Sequence, residues 1–82
     1  MDKERYLGKI AIVTGGGSGI GAAVAKRLAA EGCEKVVIFG RNVNKLQNTV
    51  DAIGADKCIP MGVDVSDEEQ VKTAVAEVEK RF

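Results

Sequence analysis

Apolar residues follow two alternating spacings along this chain, and the alternation predicts strands separated by helices. Short runs rich in β-branched and apolar residues predict strands at Lys9–Thr14, Lys35–Gly40 and Lys57–Val63. The first two runs are apolar enough to be buried on both faces of a sheet. After each run, apolar residues recur every three or four positions, as they do along one side of a helix. The predicted order is therefore βαβαβα.

The first two helices are predicted from the spacing of their apolar residues, and the second also from the residues at its two ends. One is predicted over Ile20–Glu31, where Ile20, Val24 and Leu28 lie four residues apart and alanines are expected to fill the close-packed side. Asn42 is expected to cap the second helix, and Gly54 to end it. The apolar positions of this second helix are Val43, Leu46, Val50 and Ile53.

The last helix is predicted to start at Ser66. Ser66 and Glu69 match the S-x-x-E capping box, in which each side chain bonds the free backbone amide of the other residue. The apolar stripe of this helix is formed by Val71, Ala74, Val75, Val78 and Phe82.

Strands that alternate with helices form parallel sheets with right-handed crossovers, which makes this an α/β protein. Pro60 lies within the third strand, and proline is confined to sheet edges and bulges because it lacks an amide hydrogen. The expected strand order is therefore third–second–first. The first two helices should cover one face of the sheet, and the last helix should cover the other.

A glycine-rich segment, Thr14–Gly21 (TGGGSGIG), joins the first strand to the first helix. Glycine permits a tight turn and lets a phosphate approach the bare backbone, while the helix N-terminus offers free amides to a pyrophosphate. Glycines also fill ordinary turns, and that remains the alternative. Their position between a buried strand and a helix favours dinucleotide binding.

The spacing G-x-x-x-G-x-G in this segment resembles the cofactor motif of the short-chain dehydrogenases/reductases. The resemblance runs from Leu7-Gly8-Lys9 to Phe82 and covers only the N-terminal portion of the family's domain. It implies a Rossmann-like parallel sheet, the first half of a doubly wound NAD(P)-binding fold, with residues 1–82 forming one partial domain. It further implies that the motif glycines are Gly15, Gly19 and Gly21, and that Ser18 and Ile20 meet the phosphates and ribose of the cofactor.

The end of the second strand should select the cofactor, because an acidic residue there favours NAD and repels the 2′-phosphate of NADP. Here Gly40 occupies that position and Arg41 follows it. A guanidinium can hold a phosphate through paired hydrogen bonds, so we expect NADP rather than NAD. The alternative is a solvated arginine in an ordinary loop. Asn42 is also a candidate cofactor contact, although a helix cap is its favoured role.

Asp64 and Val65 follow the third strand. In the family that this sequence resembles, an aspartate here bonds the adenine amino group and the next residue contacts the ring. The alternative is that Asp64 merely ends the strand before the Ser66 cap.

The catalytic residues of that family have no counterpart in these 82 residues. Members transfer a hydride between NADP(H) or NAD(H) and a carbonyl or alcohol by means of a serine and a Tyr-x-x-x-Lys pair. The only tyrosine here is Tyr6, and Ile10 stands four residues after it. Without an acid–base group we expect no turnover from this segment alone. The alternative is a non-catalytic half-domain that binds a dinucleotide and self-associates through its exposed first strand, giving a homo-oligomer.

Composition and charge exclude several further classes of function. Twelve basic residues balance twelve acidic ones, which argues against a nucleic-acid or membrane-surface protein. Cys33 and Cys58 lie far apart in a chain without histidine, so we expect neither a metal site nor a disulfide. Free cysteines are usual in a reducing compartment, so we expect the protein in the cytoplasm. No apolar run approaches the ~20 residues of a membrane span.

Overall fold

The computed structural model describes residues 9–15, 17 and 19–82, and these residues form three strands and three helices. The elements are β1 (Ile10–Thr14), α1 (Gly19–Ala30), β2 (Lys35–Gly40), α2 (Val43–Ile53), β3 (Cys58–Gly62) and α3 (Glu68–Arg81). The predicted βαβαβα order is confirmed.

The three strands form one parallel sheet in the order β1-β2-β3, which is the predicted order. Val37 of the central strand is aligned with Ile12 on one side and with Ile59 on the other. Pro60 of β3 lies opposite Ile38 of β2. The strand β3 is at the edge of the sheet, as its proline predicts.

Helices cover both faces of the sheet, because side chains of β2 alternate between two apolar clusters. Val36 and Ile38 face the cluster that α1 and α2 complete, whereas Val37 and Phe39 face α3. The arrangement of two helices on one face and the last helix on the other is thus confirmed. The first cluster comprises Val13, Ala25, Cys33, Val36, Ile38, Leu46, Val50 and Cys58. The second comprises Val37, Phe39, Val63, Ala74 and Val78.

The first strand is less buried than its sequence predicts. Ile12 is 39% exposed, whereas the four apolar residues in the middle of β2 are fully buried. The cause is the sheet order, since β1 pairs with β2 on one side and with none of the described residues on the other.

The close-packed side of α1 is formed by its small residues, as the alanines of this helix predict. Ile20 is 83% exposed and Val24 is 45% exposed, while Gly21 and Ala25 are buried. Leu28 packs against the first cluster only in part. Small residues let a helix approach a sheet closely, so glycine and alanine, rather than the largest apolar side chains, face the strands here.

The predicted start of α3 at a Ser66 cap is also wrong. Asp67 is the N-cap, and its Oδ1 accepts hydrogen bonds from the backbone amides of Glu69 at 3.1 Å and Gln70 at 3.3 Å. Ser66 bonds instead to the carboxylate of Asp64. The sequence VSDEEQ therefore offers two overlapping caps, and the upstream aspartate removes the serine from competition.

The cap of α2 is confirmed. Oδ1 of Asn42 accepts a hydrogen bond from the backbone amide of Lys45 at 3.2 Å. Gly54 ends the helix with a φ of 119°, a left-handed backbone that glycine adopts most readily. Among the described residues, no helix is long and apolar enough to cross a membrane.

Candidate cofactor site

The candidate residues of three loops lie at one edge of the sheet. Because the strands are parallel, their carboxyl ends at Thr14, Gly40 and Gly62 share that edge. In open α/β sheets, ligands bind beyond the carboxyl ends of the strands. The loops that follow these ends carry the glycine motif, Arg41 and Asp64.

Gly15, Gly17 and Gly19 are the described glycines between β1 and the first turn of α1. Gly15 has a φ of 68°, which favours glycine at this turn. Gly19 begins α1, and a Cβ placed on it would have no heavy atom within 4 Å apart from its chain neighbours and the backbone of its own helix. The free amides and partial positive charge of a helix N-terminus attract a phosphate, and bare backbone gives it access. Gly21 is buried on the sheet side, as close helix–strand packing requires. The predicted contact Ser18 lies outside the described residues.

Gly17 is a packing contact between the glycine-rich segment and α2 that motif reasoning missed. A Cβ on Gly17 would lie 2.8 Å from the Lys45 Cβ and 3.2 Å from the backbone nitrogen of Leu46. Gly17 therefore packs directly on the first turn of α2. The signal in the sequence is the uninterrupted run of glycines, which is longer than the G-x-x-x-G-x-G spacing requires.

The loop after β2 places the guanidinium of Arg41 next to Gly40, which has no side chain. Gly40 ends the strand, and the exposed Arg41 follows it. Arg41 and the start of α2 border an open depression of ≈ 540 Å³, lined also by Asn42, Val43 and Asn44. The Asn42 side chain is engaged as the α2 cap, which is the role favoured for it over cofactor contact.

The loop after β3 fixes the position of Asp64. Its backbone N–H donates to Oε1 of Gln70 at 2.9 Å, and its Oδ1 accepts from Ser66. The Ser66 hydroxyl is the main reason that the pKa of Asp64 lies below its ordinary value; the Ser66 amide and, more weakly, Arg41 lower it further. The group is therefore a carboxylate at neutral pH and acts as a hydrogen-bond acceptor. Val65 is exposed beside it.

The described part of the site fits a dinucleotide. It presents a helix N-terminus, a guanidinium and a carboxylate, which are groups that bind phosphates and amino groups in proteins. Ile20 and Gly21 lie in the first turn of α1, so the structure brings the described candidates from all three loops to the same edge.

The two cysteines are not among the residues of the candidate cofactor site. Cys33 and Cys58 are free and buried in the first cluster, and burial raises the pKa of both thiols. Both thiols therefore remain protonated and unreactive at neutral pH. The described ranges contain no group of three or more His, Cys, Asp or Glu side chains that could hold a metal ion.

A parallel sheet with helices on both faces and a glycine turn at its carboxyl edge defines a Rossmann-type dinucleotide-binding fold. The family described as short chain dehydrogenase matches residues 9–82, and the chain belongs to that family.

Known relatives share this sequence or fold over about a third of their own length. An uncharacterized oxidoreductase of Staphylococcus aureus is 43% identical over 74 residues, which are 90% of this chain and 32% of the relative. A NAD⁺-bound xylitol dehydrogenase matches with a TM-score of 0.87 and 31% identity over 95% of this chain and 30% of its own. L-Sorbose reductase from Gluconobacter frateurii, complexed with NADPH and L-sorbose, matches with a TM-score of 0.85 and 33% identity over 100% of this chain and 32% of its own. The chain thus spans about a third of these proteins.

Proposed function

We propose that this chain is the NADP-binding portion of a short-chain reductase or dehydrogenase. In the complete enzyme, the reaction is hydride transfer between NADP(H) and a carbonyl or alcohol substrate. The observation that carries the choice of NADP is the pair Gly40–Arg41 at the end of β2, which supplies a cation and no acidic side chain. The related folds bind either form of the cofactor, since one solved relative contains NAD⁺ and another NADPH.

Each part of the site has its own role in this proposal. The amides at the start of α1 hold the pyrophosphate, with Gly15 and Gly19 giving it access to the backbone. Arg41 holds the 2′-phosphate. Asp64 accepts a hydrogen bond from the adenine amino group, and Val65 contacts the ring. The bound cofactor supplies or accepts the hydride; the serine, tyrosine and lysine that move the proton in this family are not among these 82 residues. We therefore expect the segment to bind NADP without turnover.

The proposal is tested by the Arg41→Ala variant. Hydrogen bonds to a charged group contribute about 1.5–3 kcal/mol, so the Kd for NADP should rise about 10- to 100-fold while the Kd for NAD changes little. Titration calorimetry with both dinucleotides measures this, and Lys26→Ala, which removes an exposed cation from α1, is the matched control. Equal weakening of NADP and NAD would refute the assignment of Arg41 to the phosphate.

A second candidate function is a non-catalytic dinucleotide-binding half-domain that self-associates. The outer side of β1 pairs with none of the described residues and carries the exposed Ile12. It favours this candidate, because an apolar strand edge is a template for pairing with another chain. Sedimentation at micromolar concentration should then show a dimer that Ile12→Lys dissociates. A monomeric native chain would contradict this candidate.

A cytoplasmic location is part of the proposal. Its support is that Cys33 and Cys58 are both free thiols, as is usual in a reducing compartment.

A further inference from the structure

The carboxylate of Asp64 is held asymmetrically. The Ser66 amide and hydroxyl donate to the same oxygen, Oδ1, at 3.0 Å and 2.6 Å. Among the described residues, no hydrogen bond reaches the other oxygen, Oδ2. One oxygen is therefore engaged within the loop, and the other is available to a ligand.

The backbone around this carboxylate is fixed by separate bonds. The Val63 amide donates to the Gly40 carbonyl at 2.9 Å, and the Asp64 amide donates to Oε1 of Gln70 at 2.9 Å. Nε2 of Gln70 donates to Oδ2 of Asp67 at 3.1 Å, which anchors the glutamine to the α3 cap. The main chain at Asp64 therefore stays in place without the Ser66 hydroxyl, whose effect is on the direction of the carboxylate.

The Ser66 hydroxyl has no part in starting α3. Asp67 caps the helix, and the Ser66 side chain is exposed. Within the described residues, the Ser66 hydroxyl donates its hydrogen bond to the Asp64 carboxylate. A residue that contributes neither to a cap nor to the core, and that fixes the rotamer of a ligand-facing group, is a positioning residue.

We propose that Ser66 is a positioning residue for base recognition: it turns the Asp64 carboxylate so that Oδ2 accepts a hydrogen bond from the exocyclic amino group of adenine. The inference rests on the proposed function, since it takes the adenosine end of the dinucleotide to lie at Asp64. It adds that the preference for a 6-amino purine depends on a hydroxyl two residues away. A purine with a 6-oxo group would present an acceptor to the carboxylate and be rejected.

The test compares NADP with its hypoxanthine analogue, in which an oxo group replaces the adenine amino group. The measured quantity is the Kd of the hypoxanthine analogue divided by the Kd of NADP. Loss of one hydrogen bond of ordinary strength predicts that Ser66→Ala reduces this ratio about fivefold. Ser66→Thr, which keeps the hydroxyl, should restore it. Thr73→Ala, which removes an exposed hydroxyl from α3 at a distance in sequence from Asp64, should leave it unchanged.

The outcomes separate this inference from the proposed function. If the native protein binds neither dinucleotide, the proposed function fails and the inference with it. If NADP binds but Ser66→Ala keeps the native ratio, the inference alone is overturned. Loss of the folded circular dichroism spectrum in Ser66→Ala would place Ser66 in the fold rather than at the base, and would also overturn it.

Discussion

Gly40 and Leu46 are packed against each other at the end of the central strand. A Cβ on Gly40 would lie 3.0 Å from Cδ2 of Leu46 and 3.5 Å from its Cγ. Leu46 is fully buried in the first cluster, so it has little freedom to move away. The residue proposed to select the cofactor thus also packs against α2.

Two effects should therefore appear in Gly40→Asp. The new carboxylate should repel the 2′-phosphate, so that the ratio of NADP to NAD affinity falls. The added Cβ should crowd Leu46 and lower the free energy of unfolding by about 1 kcal/mol, at the low end of overpacking costs. Calorimetry measures the first effect and urea unfolding the second. Gly40→Ala is the control, because it shares the crowding but carries no charge. A fall in NADP affinity as large in Gly40→Ala as in Gly40→Asp would show that packing, not charge, determines cofactor choice.

Gly17 and Gly19 should respond in opposite ways to a methyl group. Gly17→Ala brings a Cβ within 2.8 Å of the Lys45 Cβ, so the loop must shift from α2, with an expected loss of about 1–3 kcal/mol in unfolding free energy. Gly19→Ala meets open space in a helical position and should be neutral or stabilising by about 0.5–1 kcal/mol. The same methyl stands where a phosphate would approach, so it should weaken NADP binding. Thermal unfolding and calorimetry of the pair check this, and a Gly19→Ala variant with native NADP affinity would argue against phosphate binding at the start of α1.

Asn42 can be tested as a cap or as a ligand. Asn42→Ala should cost about 1 kcal/mol of stability through loss of the α2 cap, as Asp67→Ala should for α3. Asn42→Ser keeps a capping oxygen and should retain both stability and NADP affinity. Chemical denaturation and calorimetry give the two quantities. A stable Asn42→Ser variant with weakened NADP binding would instead make the amide a cofactor contact.

The order and sidedness of the elements could be read from the sequence because each depends on a local signal. The apolar run of β2, the proline of β3 and the Asn42 cap are short-range features, and the structure confirms all three. The exposure of Ile20 and Val24 in α1 could not be read this way. Hydrophobic periodicity favours the large side chains Ile20 and Val24, whereas close approach to a sheet selects the small ones.

The missed parts of the site depend on contacts between separate elements. Gly17 is explained only by its approach to α2, and Gln70 only by its bond across to the backbone of Asp64. The Ser66 cap failed for a related reason, since two adjacent residues could each cap α3 and a third residue decided between them. Local motifs thus located the loops of the site but not the bonds that fix their shape.

The titration of Asp64 should report on Ser66 and Arg41 directly. The native pKa lies below the ordinary value of 3.8, mainly through the Ser66 hydroxyl bond, then the Ser66 amide, with a smaller effect of the Arg41 charge. A depressed pKa in the folded state means that the ionised carboxylate stabilises the fold. That contribution is present above pH 3.8 and is lost as the pH falls through the lower, native value.

Ser66→Ala should therefore raise the pKa of Asp64 towards 3.8, and Arg41→Ala should raise it by less. Carbon-detected NMR of the Asp64 carboxyl during an acid titration measures the three values, with Thr73→Ala as the control. A larger shift in Arg41→Ala than in Ser66→Ala would mean that the guanidinium, rather than the hydroxyl, holds the carboxylate ionised. In that case base recognition and phosphate recognition would depend on the same residue, and Arg41→Ala would weaken NAD as well as NADP.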